Sequence, residues 1–210
     1  MNVVFFGPPG AGKGTIAGMV SQNTGRPHIS TGDLFRDAIK KQTELGSQVR
    51  KILDGGDLVP DSLTNELVRD RLRHDDTEKG VLLDGFPRTT AQADALAEMI
   101  KLDVVLNIQA QDDVLIRRLS GRRVCTCCGN IHHLEFRPPK KEGLCDRCGS
   151  ELSQREDDTV ESIRHRLSVY EEQTESLIAY YRDAGILVDI DGNSDAETVF
   201  ADVLKVMGAE

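Results

Sequence analysis

The chain has 210 residues, 39% hydrophobic and 29% charged, which is enough to bury the core of one α/β domain with a small insertion but short for two full domains. A net charge of −9 and a pI near 5.1 argue against a general nucleic-acid binder, whose affinity depends on clustered Lys and Arg. No apolar run approaches the ~20 residues of a membrane span, and the opening Val3-Val4-Phe5-Phe6 is too short for a signal peptide and has no basic residue before it, so a cytoplasmic protein is expected.

Val3–Phe6 reads as a buried first strand. Gly7-Pro8-Pro9-Gly10-Ala11-Gly12-Lys13-Gly14-Thr15 follows it and leads into Ile16-Ala17-Gly18-Met19-Val20, which can open a helix. Strand, Gly-rich loop and helix together form the context of a phosphate-binding loop. Glycines let backbone N–H groups point inward, the helix N-terminus adds its positive end, and Lys13 supplies a full charge. The residue after Lys13 is Gly14 and the hydroxyl comes one place later at Thr15, which argues against direct magnesium coordination by the loop. Together with the absence of an N-K-x-D signature, this also counts against a GTPase switch.

Pro27-His28-Ile29 can supply a very short strand, and the stretch from Ser30 to Val59 reads as a small helical insertion. Val81–Leu83, Val104–Ile108 and Ile186–Ile190 are further apolar runs separated by helix-like segments, so a five-stranded parallel sheet with helices on both faces is predicted. Asp84 ends one of these strands, where its carboxylate should emerge at the carboxyl edge of the sheet, the usual ligand side of an open α/β fold. Between Gly121 and about Asp157 the apolar periodicity stops, and no core strand or long helix is evident. Beyond it, Val160, Ile163, Leu167 and Tyr170, then Leu177, Ile178 and Tyr181, predict one long amphipathic helix returning to the core.

Within the interrupted segment, Cys125-x-x-Cys128 and Cys145-x-x-Cys148 have the spacing of a tetrahedral structural zinc site, leaving Cys127 over. His132 and His133 are alternative ligands. A zinc ribbon also suggests a nucleic-acid-binding module, but residues 121–157 hold seven Lys or Arg against six Asp or Glu, far from the basic balance such a module needs. Zinc more plausibly replaces a hydrophobic core that so short a segment could not build alone.

The phosphate loop, Ser30-Thr31-Gly32-Asp33-Leu34-Phe35-Arg36 and Leu83-Asp84-Gly85-Phe86-Pro87-Arg88-Thr89 with Gln92 resemble the nucleoside monophosphate kinases in order and spacing. Gly121-Arg122-Arg123 before the insertion and Arg155-Glu156-Asp157-Asp158 after it resemble the long-lid adenylate kinases, and the resemblance spans essentially the whole chain. It implies reversible transfer of a phosphoryl group from ATP to AMP with magnesium, by a monomer needing neither nucleic acid nor membrane. The implied parts are a core of residues 1–29, 60–120 and 158–210, an AMP-binding part of 30–59 and a zinc lid of 121–157.

By the same resemblance, ATP contacts are expected from Gly10, Ala11, Gly12, Lys13, Gly14, Thr15, Arg122, Ser194, and from Ile131 and His132 beside the adenine. AMP contacts are expected from Thr31, Arg36, Asp57, Leu58, Val59, Gly85, Phe86, Pro87, Arg88, Gln92, Arg155 and Arg166. Lys13, Asp84, Arg88, Arg118, Arg122, Arg155 and Arg166 are the expected catalytic set, with Asp84 holding magnesium through water. Arg118 and Arg122, four apart near a helix end, are expected on one helix face. Many arginines suit phosphoryl transfer, which asks for alignment and charge stabilisation and whose phosphate oxygens match a planar guanidinium. Thr31 and Gln92 resemble an adenine-selective site, with a kinase for another nucleoside monophosphate as the alternative.

Overall fold

The computed structural model describes residues 1–209. In chain order its elements are β1 (Val3–Phe6), α1 (Lys13–Thr24), β2 (His28–Ser30), α2 (Thr31–Lys40), α3 (Glu44–Gly55), α4 (Asp61–Leu72), β3 (Leu82–Asp84), α5 (Thr90–Met99), β4 (Val104–Gln109), α6 (Asp112–Ser120), β5 (Arg122–Cys125), β6 (Ile131–His133), β7 (Leu152–Ser153), α7 (Val160–Gln173), α8 (Ser176–Asp183), β8 (Leu187–Asp191) and α9 (Ala196–Met207).

The β-branched runs pair in parallel because helical crossovers separate them, and the strand order is β2-β3-β1-β4-β8. Alternation along β1 divides the core in two. Val3 and Phe5 pack with Ile16, Val20, Val199 and Val203 of α1 and α9 on one face. Val4 and Phe6 pack with Leu96, Leu177 and Tyr181 of α5 and α8 on the other. Both faces are therefore apolar, as the continuous hydrophobic runs predict. Strand β4 begins at Val104, as its apolar run predicts, whereas β2, β3 and β8 each begin one residue later than theirs, because Pro27, Val81 and Ile186 enter the sheet without completing the ladder.

Two expectations need correction. The long return helix is two helices: the chain breaks at Thr174, which is buried and whose hydroxyl donates to the Arg88 carbonyl at 2.9 Å. That bond draws the chain toward the site loop and redirects it, so Leu177 and Tyr181 reach the sheet. Val160 is not part of the apolar face, being 50% exposed immediately after the Thr159 cap. The 121–157 segment adds no strand to the core sheet and no long helix, as expected, and builds three short strands of its own in the antiparallel order β6-β5-β7.

The helical insertion has a small core of its own in Phe35, Val49 and Val59, joined by Leu63 and Leu67 of α4. Helix α4 thus belongs to two clusters, since its Val68 packs beneath the parallel sheet. At the far end of α2, Lys40 Nζ donates to the Thr126 carbonyl at 3.0 Å, so this insertion touches the cysteine-bearing one directly.

Candidate active site

Strand β1 ends in the Gly-rich loop, and α1 begins at Lys13. Gly7 has φ 131°, and a Cβ there would lie 2.2 Å from the Ile108 carbonyl oxygen, so only glycine lets the loop pass this close to β4. Lys13 Nζ donates to the carbonyls of Gly7 and Pro8 at 2.7 and 2.8 Å. Burial pushes its ammonium down to about 8; Asp84 opposes the shift, while Arg88, Arg166 and Arg122 add to it.

Asp84, the last residue of β3, faces the loop as predicted, and Gly14 makes this possible because a Cβ there would stand 3.1 Å from Asp84 Oδ2. Burial alone would raise this carboxyl. The half-buried His28, whose shielded Nε2 stands 3.4 Å from Asp84 Oδ2, and then Lys13 outweigh it and hold the group below the ordinary carboxylate range.

The arginines converge on one cavity of about 980 Å³ that the phosphate loop also lines. Arg36 pairs with Asp33 at 2.7 Å, and Arg155 lies 3.7 Å from the same carboxylate. Arg88 Nε donates to the Gly85 carbonyl at 2.9 Å, and burial followed by the charge of Arg166 lowers its guanidinium to about 10. Arg155 is lowered to about 9 by burial and by Arg122 and Arg36. Such depression marks a cluster of cations short of anions, which incoming phosphates would supply.

Arg122 makes two bonds to the fully buried Asp158, at 2.8 and 2.6 Å, while Arg166 contacts Asp157 at 2.9 Å and Asp158 at 3.2 Å. Arg118 is tethered to the Gly192 and Ser194 carbonyls at 2.7 and 3.0 Å. The shared helix face does not hold: α6 ends at Ser120, so Arg118 sits on the helix and Arg122 on β5, although both reach the cavity.

Gly10, Ala11, Gly12, Thr15, Ile131, His132, Ser194 and Pro87 also line the cavity. Thr31, Asp57, Leu58, Val59, Gly85 and Gln92 surround a narrow pocket of about 30 Å³. Phe86 lines neither and is packed in the core with Val4 and Leu83. Sequence reading missed four residues. Asp157 and Asp158 fix arginines, Phe136 lines the cavity although it is exposed, and Asp61 holds Gln92. The Arg155-Glu156-Asp157-Asp158 run was visible, and acids following an arginine that faces phosphate were its available signal.

The thiols of Cys125, Cys128, Cys145 and Cys148 gather so that all four sulfurs lie within 4.8 Å of one another. The contacts Cys125–Cys148 at 3.4 Å and Cys128–Cys145 at 3.7 Å are far beyond the ~2.05 Å of a disulfide and near the sulfur–sulfur edge of a tetrahedron with ~2.3 Å metal–sulfur bonds. Burial works against ionising Cys145, but His132 and the amides of Arg147 and Cys148 outweigh it and favour the thiolate. The donor set therefore fits zinc. His132 lies behind Cys145 with its Nε2 3.0 Å from Asn130, while His133 turns to the Arg117 carbonyl at 3.2 Å. Cys127 is exposed and outside the cluster.

A Gly-rich loop closing on a buried Lys, an acid at the sheet's carboxyl edge and a ring of arginines around one cavity define a P-loop phosphotransferase with an insertion built around four gathered thiols. A family model described as Adenylate kinase matches residues 5–186. The Adenylate kinase of Treponema denticola is 55% identical over 201 residues, spanning 96% of each chain. Those of Clostridium botulinum (strain Loch Maree / Type A3) and Archaeoglobus fulgidus are each 48% identical, over 215 residues covering 100% of both chains and over 212 residues covering 99% of this chain and 98% of the other. The chain belongs to the adenylate kinase family and is a nucleoside monophosphate kinase.

Proposed function

We propose that the chain transfers the terminal phosphoryl group of ATP to AMP, reversibly and with magnesium, giving two ADP. The observation that carries this reading is a single cavity lined by Lys13 and the phosphate loop together with Arg36, Arg88, Arg155 and Arg166. Two anionic nucleotides with their phosphates facing each other need such an arrangement, because the reaction requires in-line alignment and charge stabilisation more than covalent chemistry. Residues 10–15 would cradle the ATP phosphates, with Arg118, Arg122, Ile131, His132 and Ser194 around the rest of the nucleotide. Thr31, Asp57, Leu58, Val59, Gly85, Pro87 and Gln92 would hold AMP, whose phosphate oxygen attacks without a general base.

Magnesium bound with ATP neutralises phosphate charge, and Asp84 would hold it through water at the end of β3. The four lid thiolates would hold a structural zinc, a closed shell with no position for substrate. In this reading residues 30–59 form the AMP-binding part and 121–157 the lid, supported by their separate small core and sheet. The enzyme would act as a cytoplasmic monomer without nucleic acid; no helix among the described residues is long and apolar enough to cross a membrane. ADP formation from ATP with AMP, CMP, UMP and GMP in parallel tests the assignment. AMP should be the best acceptor, and equal or better use of another monophosphate overturns it.

A further inference from the structure

A side-chain amide carries donors at one end and an acceptor at the other, so what it offers a base depends on which way it is turned. Gln92 is buried beside the AMP-side pocket, and its neighbours fix that choice. Its Oε1 accepts from the backbone N–H of Arg88 at 2.8 Å, a group that can only donate. Its Nε2 donates to Asp61 Oδ1 at 2.6 Å. Turning the amide over would set N–H against N–H at one end and oxygen against carboxylate at the other. Asp61 is itself held, because its Oδ2 accepts from Thr89 Oγ1 at 3.0 Å and Thr89 in turn caps α5 by accepting from the Gln92 N–H at 3.2 Å. Asp61, Thr89 and Gln92 close a ring that joins α4 to α5.

We propose that Asp61 is a specificity-determining positioning residue: by holding the Gln92 amide in one sense, it suits the pocket to a purine with an amino group at C6 and an acceptor at N1 and sets it against one with an oxo group and N–H there. The inference rests on the adenine reading above and supplies what that reading lacks. With its two internal bonds made, Gln92 retains one lone pair on Oε1 and one N–H on Nε2. The adenine edge, a donor beside an acceptor, meets that pair. The guanine edge is reversed and meets only an inverted amide. Thr31 agrees, because its hydroxyl proton goes to the Gly85 carbonyl at 2.8 Å and Oγ1 keeps only lone pairs to offer. Rejection of guanine is then built from unpaired polar groups, which discriminate more strongly than a change in pocket size.

The test is kcat/KM for AMP and for GMP at saturating magnesium–ATP in the wild-type chain, Asp61→Ala, Gln92→Ala and the double variant. The wild-type preference tests the adenine reading alone, and the change on substitution tests the lock. Asp61→Ala should lower the AMP-over-GMP preference about ten-fold or more in the Gln92 background and less than about two-fold in the Gln92→Ala background, since Asp61 acts through Gln92. A merely structural Asp61 would lower both rates together and leave the preference unchanged, which overturns the proposal, as does an equal change in both backgrounds. If Asp61→Ala does not fold, Asp61→Leu fills the volume without an acceptor and is read in the same way.

Discussion

The parallel sheet and the cysteine-bearing insertion solve the same problem with different materials. Buried positions of the sheet are aliphatic and aromatic, and Val4, Leu82, Leu83, Val105 and Leu106 are wholly inaccessible. Each such side chain contributes roughly 1.5–3 kcal/mol on burial. Among the residues of the lid the fully covered ones are Cys125, His132 and Cys145, while Leu134 and Phe136 stand 56% and 53% exposed. The sheet is held by exclusion of water and, on the zinc reading proposed above, the lid by coordination. One should fail globally, and the other should loosen alone.

The sharpest separation of chemistry from stability is at Lys13. Lys13→Met should cut turnover about 100-fold or more with an unchanged circular dichroism spectrum, because the ammonium bonds only loop carbonyls and is aimed at phosphate. Loss of the fold would make Lys13 part of the core instead. Leu106→Ala, in the central strand pair, should cost about 2–5 kcal/mol and lower the melting of the whole protein. A change confined to the lid would break the comparison from the side of the sheet.

Cys145→Ser, or removal of metal by a chelator, should lower the temperature at which activity is lost and expose residues 121–157 to proteolysis, while the sheet melts as before. Elemental analysis checks that the ion is zinc, and a joint collapse of sheet and lid would show that their stabilities are not separate. A smaller effect belongs to pH. Burial holds Lys13 near 8 against an ordinary 10.5, so the nucleotide-free protein carries a penalty below pH 8 that is relieved as pH rises toward 10.5. Phosphate binding favours the charged form, so ATP affinity should be flat below about pH 8 and fall above it; titration calorimetry across pH 7 to 9.5 reads the change. Least of all should follow from Cys127→Ser, since this thiol is exposed beside the cluster without joining it: metal content, melting and turnover should stay as in the wild type.

The same division governed what could be read in advance. The strands were legible because both sheet faces are buried and leave continuous apolar runs, and the phosphate loop because its chemistry depends on local backbone geometry. The helix break at Thr174 was not, since Tyr170 and Leu177 stay in phase across it and only the tertiary bond to Arg88 reveals the turn. The lid strands were hidden because β5 to β7 run two to four residues each and cysteine-bearing loops interrupt them. Arginines facing the cavity stood out through their motifs. Their fixers, Asp157 and Asp158, and the Gln92 holder Asp61 did not, because a lone carboxylate in sequence looks like any solvated charge until the fold gives it a partner.

The arginines of the cavity are not bare. Arg36 is bound to Asp33, Arg122 to Asp158, Arg166 to Asp157, and Arg118 to the Gly192 and Ser194 carbonyls. An arriving phosphate thus exchanges one partner for another, and the free energy of capture is the difference between two sets of contacts. Part of the water has already been displaced from these guanidinium groups, and their mutual repulsion is already offset in part. That difference is smaller than the attraction of a naked cluster would be. When the phosphoryl group has moved and both products must leave, the same carboxylates and carbonyls stand ready to take the arginines back, so a site strong enough to align two polyanions is also able to let them go.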